Sequence, residues 1–341
     1  MKTAVVILNW NTGEYLRKWL PGILDSCRGR QAEVIVADSA STDGSLGILA
    51  SEFPSVRTIA LDSNYGFTGG YNRALAGLDA EYYVLMNSDI EVEDGWLDPL
   101  VEWMDTHPRC GVCGPKLHRM EGREFEYAGA AGGLLDRYGY PFCRGRVLSR
   151  TEPDNGQYDS PAAQMWVSGA CMMTRSSLWE KLGGLDARFF AHMEEIDYCW
   201  RAQLEGFSVY TVPASAGRHL GGGTLKQGSP FKLKLNYRNN LLMLEKNLPR
   251  TIGRSAARRR ILFRRLLDAG AALVYLLGGK KDCFKAVLEA HREARSLRDS
   301  GAKGDAVNAG ISGYWNICII LQSALRRDGI FKYLRSYEDN H

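Results

Sequence analysis

Oxygen-bearing side chains stand directly behind apolar runs along the first part of this chain. Asn9 follows the run at 5–8, Asp38 the run at 34–37, Asn64 the run at 56–61, and Asn87-Ser-Asp89 the run at 82–86. Asp38, with Ser39 beside it, leads into the small hydroxyl residues of Ser39-Ala-Ser-Thr-Asp-Gly-Ser45. A carboxylate in that setting can accept hydrogen bonds from a nucleobase or ribose. Asp43 and Ser45 can cap the next helix, and capping alone accounts for Asp43. In Asn64-Tyr-Gly-Phe-Thr-Gly-Gly-Tyr-Asn72, Gly66, Gly69 and Gly70 let backbone approach a ligand and lead into a helix whose N–H groups attract phosphate. Asn87 and Asp89, one residue apart with Ser88 between them, can hold a hard cation and the diphosphate it binds. An Asx-turn followed by a helix cap at Asp94 is the structural alternative.

A second group lies further along. Phe189-Phe-Ala-His-Met-Glu-Glu-Ile-Asp197 puts Glu194, Glu195 and Asp197 at the start of a helix. Acids are favoured there by the helix dipole. Two adjacent glutamates behind an aromatic pair also suit a general base facing a hydroxyl. His219, before Gly221-Gly-Gly223, is either a third metal ligand or a structural histidine.

The elements that must position these residues follow from periodicity. The apolar runs at 5–8, 34–37, 56–61 and 82–86 read as buried strands, with helices at 15–24, 46–53 and 71–78 between them. This rhythm implies a mainly parallel sheet flanked by helices, with ligands gathered beyond the C-terminal strand ends. The middle of the chain continues the same domain, with a strand-like 165–172, helices at 176–181 and 195–205, and a strand-like 209–212. Beyond about 231 it turns to Arg-, Leu- and Ala-rich helices, with a break at 301–305. The expected units are 1–249 and a helical C-terminal extension, 250–341.

The chain has 341 residues, 45% of them apolar and 24% charged, which suffices for a packed core; a net charge of +4 names no partner. Eight scattered cysteines read as buried free thiols, and the lone Cys110–Cys113 pair has no second pair to complete a zinc site. The N-terminal apolar run is too short for a signal peptide, and no stretch approaches the roughly 20 apolar residues that span a bilayer. A cytoplasmic protein, with contact at the inner face of a membrane, is the expectation.

Taken in order, Asp38, the Asn64 loop, Asn87-Ser-Asp89, Glu194-Glu195-Ile-Asp197 and His219 resemble the family 2 glycosyltransferases of the GT-A fold. Val5-Val-Ile-Leu-Asn-Trp-Asn11 and Val36-Ala-Asp-Ser-Ala-Ser-Thr-Asp-Gly-Ser45 are close to that family's N-terminal signature, and Tyr237-Arg-Asn-Asn240 is similar to a segment near the end of its catalytic domain. The metal motif takes its Asn-first, rhamnosyltransferase-like form, and Glu195 replaces the usual aspartate. The resemblance implies inverting transfer of a sugar from a nucleotide-diphosphate donor to an acceptor hydroxyl, in cell-surface polysaccharide or lipid-linked glycan synthesis. It assigns the base to Glu195, with Glu194 second. Asp89, Asn87 and His219 would hold Mg²⁺ or Mn²⁺; Asn9, Asp38, Ser39, Asn64, Gly69, Asn87 and Ser88 would hold the donor. Trp166, Ser168, Gly169 and Asp197 would face a glycan or lipid-linked acceptor, with a place in the core the alternative for Trp166. No nucleic-acid partner is implied. Arg254, Arg258, Arg259, Arg260, Arg264 and Arg265 offer either an anionic membrane contact or a solvated helix face. A sugar nucleotidyltransferase and a non-catalytic nucleotide-sugar-binding scaffold are the rival readings.

Overall fold

Strand β1 (Thr3–Asn9) alternates Ala4 and Val6 toward one apolar layer with Val5 and Ile7 toward another. A strand buried on both faces needs helices above and below it, and the computed structural model supplies them. It describes residues 1–126, 129–221, 228–298, 310–327 and 329–340. After β1 come α1 (Gly13–Cys27), β2 (Ala32–Asp38), α2 (Ser45–Glu52), β3 (Arg57–Ala60), α3 (Gly66–Ala74), β4 (Tyr82–Asn87), β5 (Ile90–Val92), α4 (Leu97–Thr106) and β6 (Cys110–Arg119). The short strands β7 (Gly133–Asp136), β8 (Pro141–Cys143), β9 (Arg146–Val147), β10 (Arg150–Thr151) and β11 (Ala162–Ala163) follow. Then come β12 (Cys171–Arg175), α5 (Ser176–Leu182), α6 (Glu194–Leu204) and β13 (Ser208–His219). The last are α7 (Pro230–Ile252), α8 (Arg254–Leu277), α9 (Lys281–Ser296), β14 (Tyr314–Trp315), α10 (Ile319–Leu325) and α11 (Ile330–Asp339).

The main sheet runs β11-β13-β6-β12-β4-β1-β2-β3, with β5 paired to β13. Strands β3, β2, β1 and β4 are parallel, as the alternation of strands and helices predicts. The register sets Asn9 beside Asp38 and Leu8 beside Asn87. Antiparallel β12 runs back along β4, pairing Cys171 with Met86, so its first residues arrive where β4 ends. Strand β5 pairs Ile90 with His219. That antiparallel pairing brings Asp89 and His219 together from positions far apart in sequence.

Two expectations shift. The helix expected at 71–78 starts at Gly66, because Asn64 Oδ1 accepts the Gly66 N–H at 2.9 Å and the glycines are taken into the helix. Of the strand expected at 165–172 only the end is β12; residues 164–170 turn between the two sheets. Residues 301–305, and Ala128, Gly222 and Gly223 of the glycine-rich stretches, lie outside the described residues.

The second sheet, β10-β9-β8-β7-β14, is closed by a strand from the C-terminal segment, which pairs parallel with β7. Leu134, Phe142 and Val147 pack there against Trp315, Ile319, Ile330 and Leu334. Helices α7, α8 and α9 pack on one another. Cys110 and Cys113 are buried free thiols on β6, their pKa values raised by burial.

Candidate active site

The C-terminal ends of β1, β2 and β4 carry one polar network. Asn9 Nδ2 donates to Asp38 Oδ2 at 2.7 Å and to Ser41 Oγ at 3.1 Å. Thr12 Oγ1 donates to Asn9 Oδ1 at 2.6 Å and shares a hydrogen bond with Ser88 Oγ at 2.7 Å. The Ser39 N–H donates to the Asn9 carbonyl, while the Ser39 hydroxyl is buried without a partner. An enclosed hydroxyl with no partner marks a place where a polar ligand can bind. Asp43 accepts the Ser45 N–H and hydroxyl and the Gly13 N–H, so it caps α2 and ties down α1. Thr12 and Ser41 were not singled out in the sequence, because a small hydroxyl in a loop carries no motif.

Asn64 and Gly69 serve α3. A methyl added at Gly69 would come within 2.7 Å of Tyr65 Cβ, so this glycine permits a packing contact inside the helix. No hydrogen bond among the described residues joins either of them to the Asn9–Asp38 network.

Asp89 is buried at the start of β5. His219 Nε2 lies 3.2 Å from Asp89 Oδ1, and His219 Nδ1 lies 3.3 Å from Glu126 Oε1. Burial opposes a charged imidazole, but the two carboxylates outweigh it and hold the pKa of His219 up to about 10. Burial likewise opposes the Asp89 carboxylate, which His219 keeps below its ordinary value. Neither imidazole nitrogen makes a hydrogen bond of good geometry, although both are sealed from water. Such a ring, with carboxylates at both nitrogens, fits a place where a cation can take up Asp89. Among the described residues no three His, Cys, Asp or Glu side chains gather to hold a metal by themselves. Asp89 and Glu126 sit against opposite nitrogens of His219, so they do not converge. Sites that share a cation with substrate phosphates need only one or two carboxylates. Glu126 follows no motif; its N–H pairs with the Leu117 carbonyl on β6, the strand beside β13.

Helix α6 begins at Glu194 and Glu195. Glu194 is buried, and Glu195 is half-buried with its Oε2 enclosed and unpartnered; so is Glu194 Oε2. Burial raises the Glu195 pKa to about 7, against the backbone N–H groups of the helix start, which lower it. Burial and the neighbouring Glu195 charge push Glu194 well above its ordinary value. The loop before them is strained: Phe190, His192 and Met193 have φ of 62°, 71° and 73°, left-handed values for side-chain-bearing residues. Helix α7 holds that loop. Asn239 Nδ2 donates to the carbonyls of Phe189, Ala191 and His192 at 2.9, 2.8 and 2.7 Å. Arg238 donates to the Arg188 and Phe189 carbonyls. The segment Tyr237-Arg-Asn-Asn240 thus reaches the site through Arg238 and Asn239.

The two halves meet at Gly169 and Ala170. A Cβ at Gly169 would lie 3.4 Å from Glu195 Cβ and 3.3 Å from the Phe67 ring. The Asn87 N–H donates to the Ala170 carbonyl at 2.9 Å. Ser168 Oγ accepts the Ala170 N–H at 3.2 Å. Two residues expected at the acceptor face are elsewhere. Trp166 is buried, its indole N–H donating to the Leu134 carbonyl at 3.1 Å, and offers no open ring face to a sugar. Asp197 is fully enclosed, paired with Arg201 at 2.7 Å and Lys246 at 3.0 Å, and accepts from Asn247 at 2.7 Å. Two residues, roughly half a helical turn, separate outward Glu195 from inward Asp197, which the dense acidic run alone does not reveal.

The chain is 28% identical over 237 residues to N-acetylglucosaminyl-diphospho-decaprenol L-rhamnosyltransferase of Mycobacterium tuberculosis, covering 63% of this chain and 75% of that protein. It is 23% identical to the low-salt glycan biosynthesis hexosyltransferase Agl10 of Haloferax volcanii, over 74% of this chain and 78% of that one. Among solved structures, S. aureus TarS 1-349 in complex with UDP-GlcNAc superposes with a TM-score of 0.55 at 16% identity, covering 87% of this chain and 84% of that one. GalNAc-T7 with UDP, GalNAc and Mn²⁺ gives 0.56 at 17% identity, over 72% of this chain but only 48% of that longer one. The fold is the GT-A arrangement. The profile of glycosyl transferase family 2 matches residues 4–180, just over half of the chain. The chain therefore belongs to glycosyl transferase family 2, and it is a nucleotide-sugar glycosyltransferase of glycan synthesis.

Proposed function

We propose that the enzyme transfers a sugar, with inversion, from a nucleotide-diphosphate donor to a hydroxyl of a lipid-linked glycan acceptor at the cytoplasmic face of a membrane. The observation that carries this reading is the convergence of Asn87 and Glu195 on the Gly169–Ala170 turn, with Asp89 two residues beyond Asn87. The hydrogen-bonded network that joins Asn9, Asp38 and Ser88, with the unpartnered Ser39 hydroxyl beside it, supports a base and ribose site. Glu195 accepts the proton of the acceptor hydroxyl as its oxygen bonds to the anomeric carbon, and the bond to the diphosphate breaks on the opposite face. Asp89, with Asn87 and, once its proton is displaced, His219, would hold Mg²⁺ or Mn²⁺, which when bound offsets charge on the departing diphosphate. The mycobacterial relative's name specifies a lipid-linked acceptor and L-rhamnosyl transfer; that supports the acceptor class and makes a deoxyhexosyl donor the first to try. In this reading residues 1–249 form the catalytic unit and 250–341 its helical extension.

Calorimetry with UDP, GDP and dTDP, with and without Mn²⁺, tests the donor half. At least one nucleotide should bind in a metal-dependent way, and Asp89→Ala should remove that dependence and abolish transfer. Equal binding of all three in EDTA would contradict the reading. Retention of the donor's anomeric configuration in the product, read by NMR, would exclude a single displacement.

A further inference from the structure

Helix α8 is amphipathic in the reverse sense for a helix that faces water. Its inward face is Ala257, Ile261, Arg264, Asp268 and Ala272. The Arg264–Asp268 pair is enclosed there at 2.7 Å, and Arg264 also donates to the Tyr138 carbonyl and to Asn240 Oδ1. Its outward face from Leu262 to Leu277 carries Leu262, Phe263, Leu266, Leu273, Val274 and Leu277. Leu266, Val274 and Leu277 are 61%, 69% and 79% exposed. Arg265, at the edge of this face, is tied to Glu245 at 2.6 Å. The stripe is about 24 Å long. A helix surface normally shows its charges outward and its leucines inward.

Both ends of the stripe are basic. Arg254, Arg258 and Arg259 are exposed before it, and Lys280, Lys281 and Lys285 after it, with Asp282 among them. Pairing this face with a second copy sets basic end against basic end, whether the two helices run parallel or antiparallel. An anionic surface satisfies both ends and the apolar middle at once. No helix among the described residues is long and apolar enough to cross a membrane, so the geometry is that of a helix lying in the plane.

We propose that the Leu262–Leu277 face of α8 seats the enzyme on an anionic lipid bilayer. This deepens the reading of a lipid-linked acceptor. Arg264 of the inward pair donates to Asn240, whose neighbour Asn239 holds the loop before Glu194, so a chain of contacts runs from α8 to the base. Sedimentation with vesicles of phosphatidylcholine alone, and of phosphatidylcholine and phosphatidylglycerol in equal parts, tests it. The wild-type chain should bind the mixed vesicles, less so as salt is raised. Leu266→Glu/Leu273→Glu and, separately, Arg258→Glu/Arg259→Glu should each weaken binding about tenfold or more while nucleotide-diphosphate binding is kept. The idea fails if the wild-type chain ignores mixed vesicles, or if both variants bind them as well as it does. It fails equally if the wild-type chain is a dimer without vesicle affinity that Leu266→Glu/Leu273→Glu splits, which assigns the face to a second copy. Transfer to a soluble short-chain acceptor reports on Asp89 and Glu195 independently. Its absence beside intact vesicle binding would overturn the reaction and leave the surface assignment standing.

Discussion

Glu194 and Glu195 are neighbours in sequence with unequal surroundings. Glu194 is enclosed, its pKa pushed well above the ordinary value by burial and by the charge beside it, whereas Glu195 reaches the surface with a pKa near 7. A base works best when its pKa lies near the working pH, which favours Glu195. Because that pKa is raised from an ordinary 4.5, Glu195 is protonated and idle below about 7 and competent above it. The kcat/KM profile should therefore climb with pH through about 7 to a plateau. Glu195→Gln should flatten that limb and lower transfer by roughly 10²–10⁴-fold with donor binding unchanged. If Glu194→Gln is the inactive variant and Glu195→Gln the active one, the assignment is off by one residue. The same shifts govern stability. A carboxyl whose folded pKa is raised stabilises the fold below its unfolded pKa, and that contribution is lost as pH rises through the folded value. Thermal melts of Glu194→Gln should accordingly lose less between pH 4 and pH 8 than those of the wild-type chain. Asn87→Ala should be milder than Asp89→Ala in both metal dependence and transfer, since an amide binds a cation less tightly than a carboxylate.

Elements set these residues in place through a few contacts. Antiparallel β12 delivers Gly169 and Ala170 to the end of β4, and β5 delivers Asp89 to His219. The left-handed run before α6 persists because α7 over-determines it. Asn239→Ala would leave the Ala191 and His192 carbonyls without that donor, while the Phe189 carbonyl keeps Arg238. Denaturant unfolding should show a loss of about 2–3 kcal/mol, and kcat should fall more than the donor KM rises. An unchanged kcat with the same loss of stability would make Asn239 a structural residue only. Gly169→Ala should also lower kcat, since a new methyl at 3.3–3.4 Å from Phe67 and Glu195 must shift one of them. Its melting temperature should change little by comparison.

At the scale of the molecule the C-terminal segment is woven into the rest. Strand β14 completes the second sheet, Arg335 pairs with Glu152 at 2.7 Å, and Asp136 accepts the Ile319 N–H at 2.9 Å. Helix α8 is fixed from inside by its buried charges, since Asp268 is also 3.2 Å from His291 of α9. Asp268→Ala would strand the Arg264 guanidinium away from water, and stability should drop by about 3–5 kcal/mol. Replacing Arg264 and Asp268 together by leucines should cost far less than Asp268→Ala alone, because no unpaired charge then remains. Equal losses in the two variants would show that the pair acts by shape and not by charge.

What the sequence by itself determined was local and periodic. Apolar runs followed by Asn9, Asp38 and Asn87 identify strands and the end at which their ligands gather, because a parallel strand buried on both faces shows its continuous apolar run and its last residue in one short window. The family resemblance and the acidic start of α6 were legible for the same reason. Tertiary structure decided what depends on partners distant in the chain. It turned Asp197 and Trp166 inward, since a helix face and an inter-sheet contact are settled by what packs against them. It brought Glu126 to His219 across a strand pairing, and Asn239 to the loop at 189–192 from another helix. It also reversed the sense of α8: the arginines and leucines are plain in the sequence, but only packing against Asn240 and His291 shows that a charged pair is inside and the leucines are out.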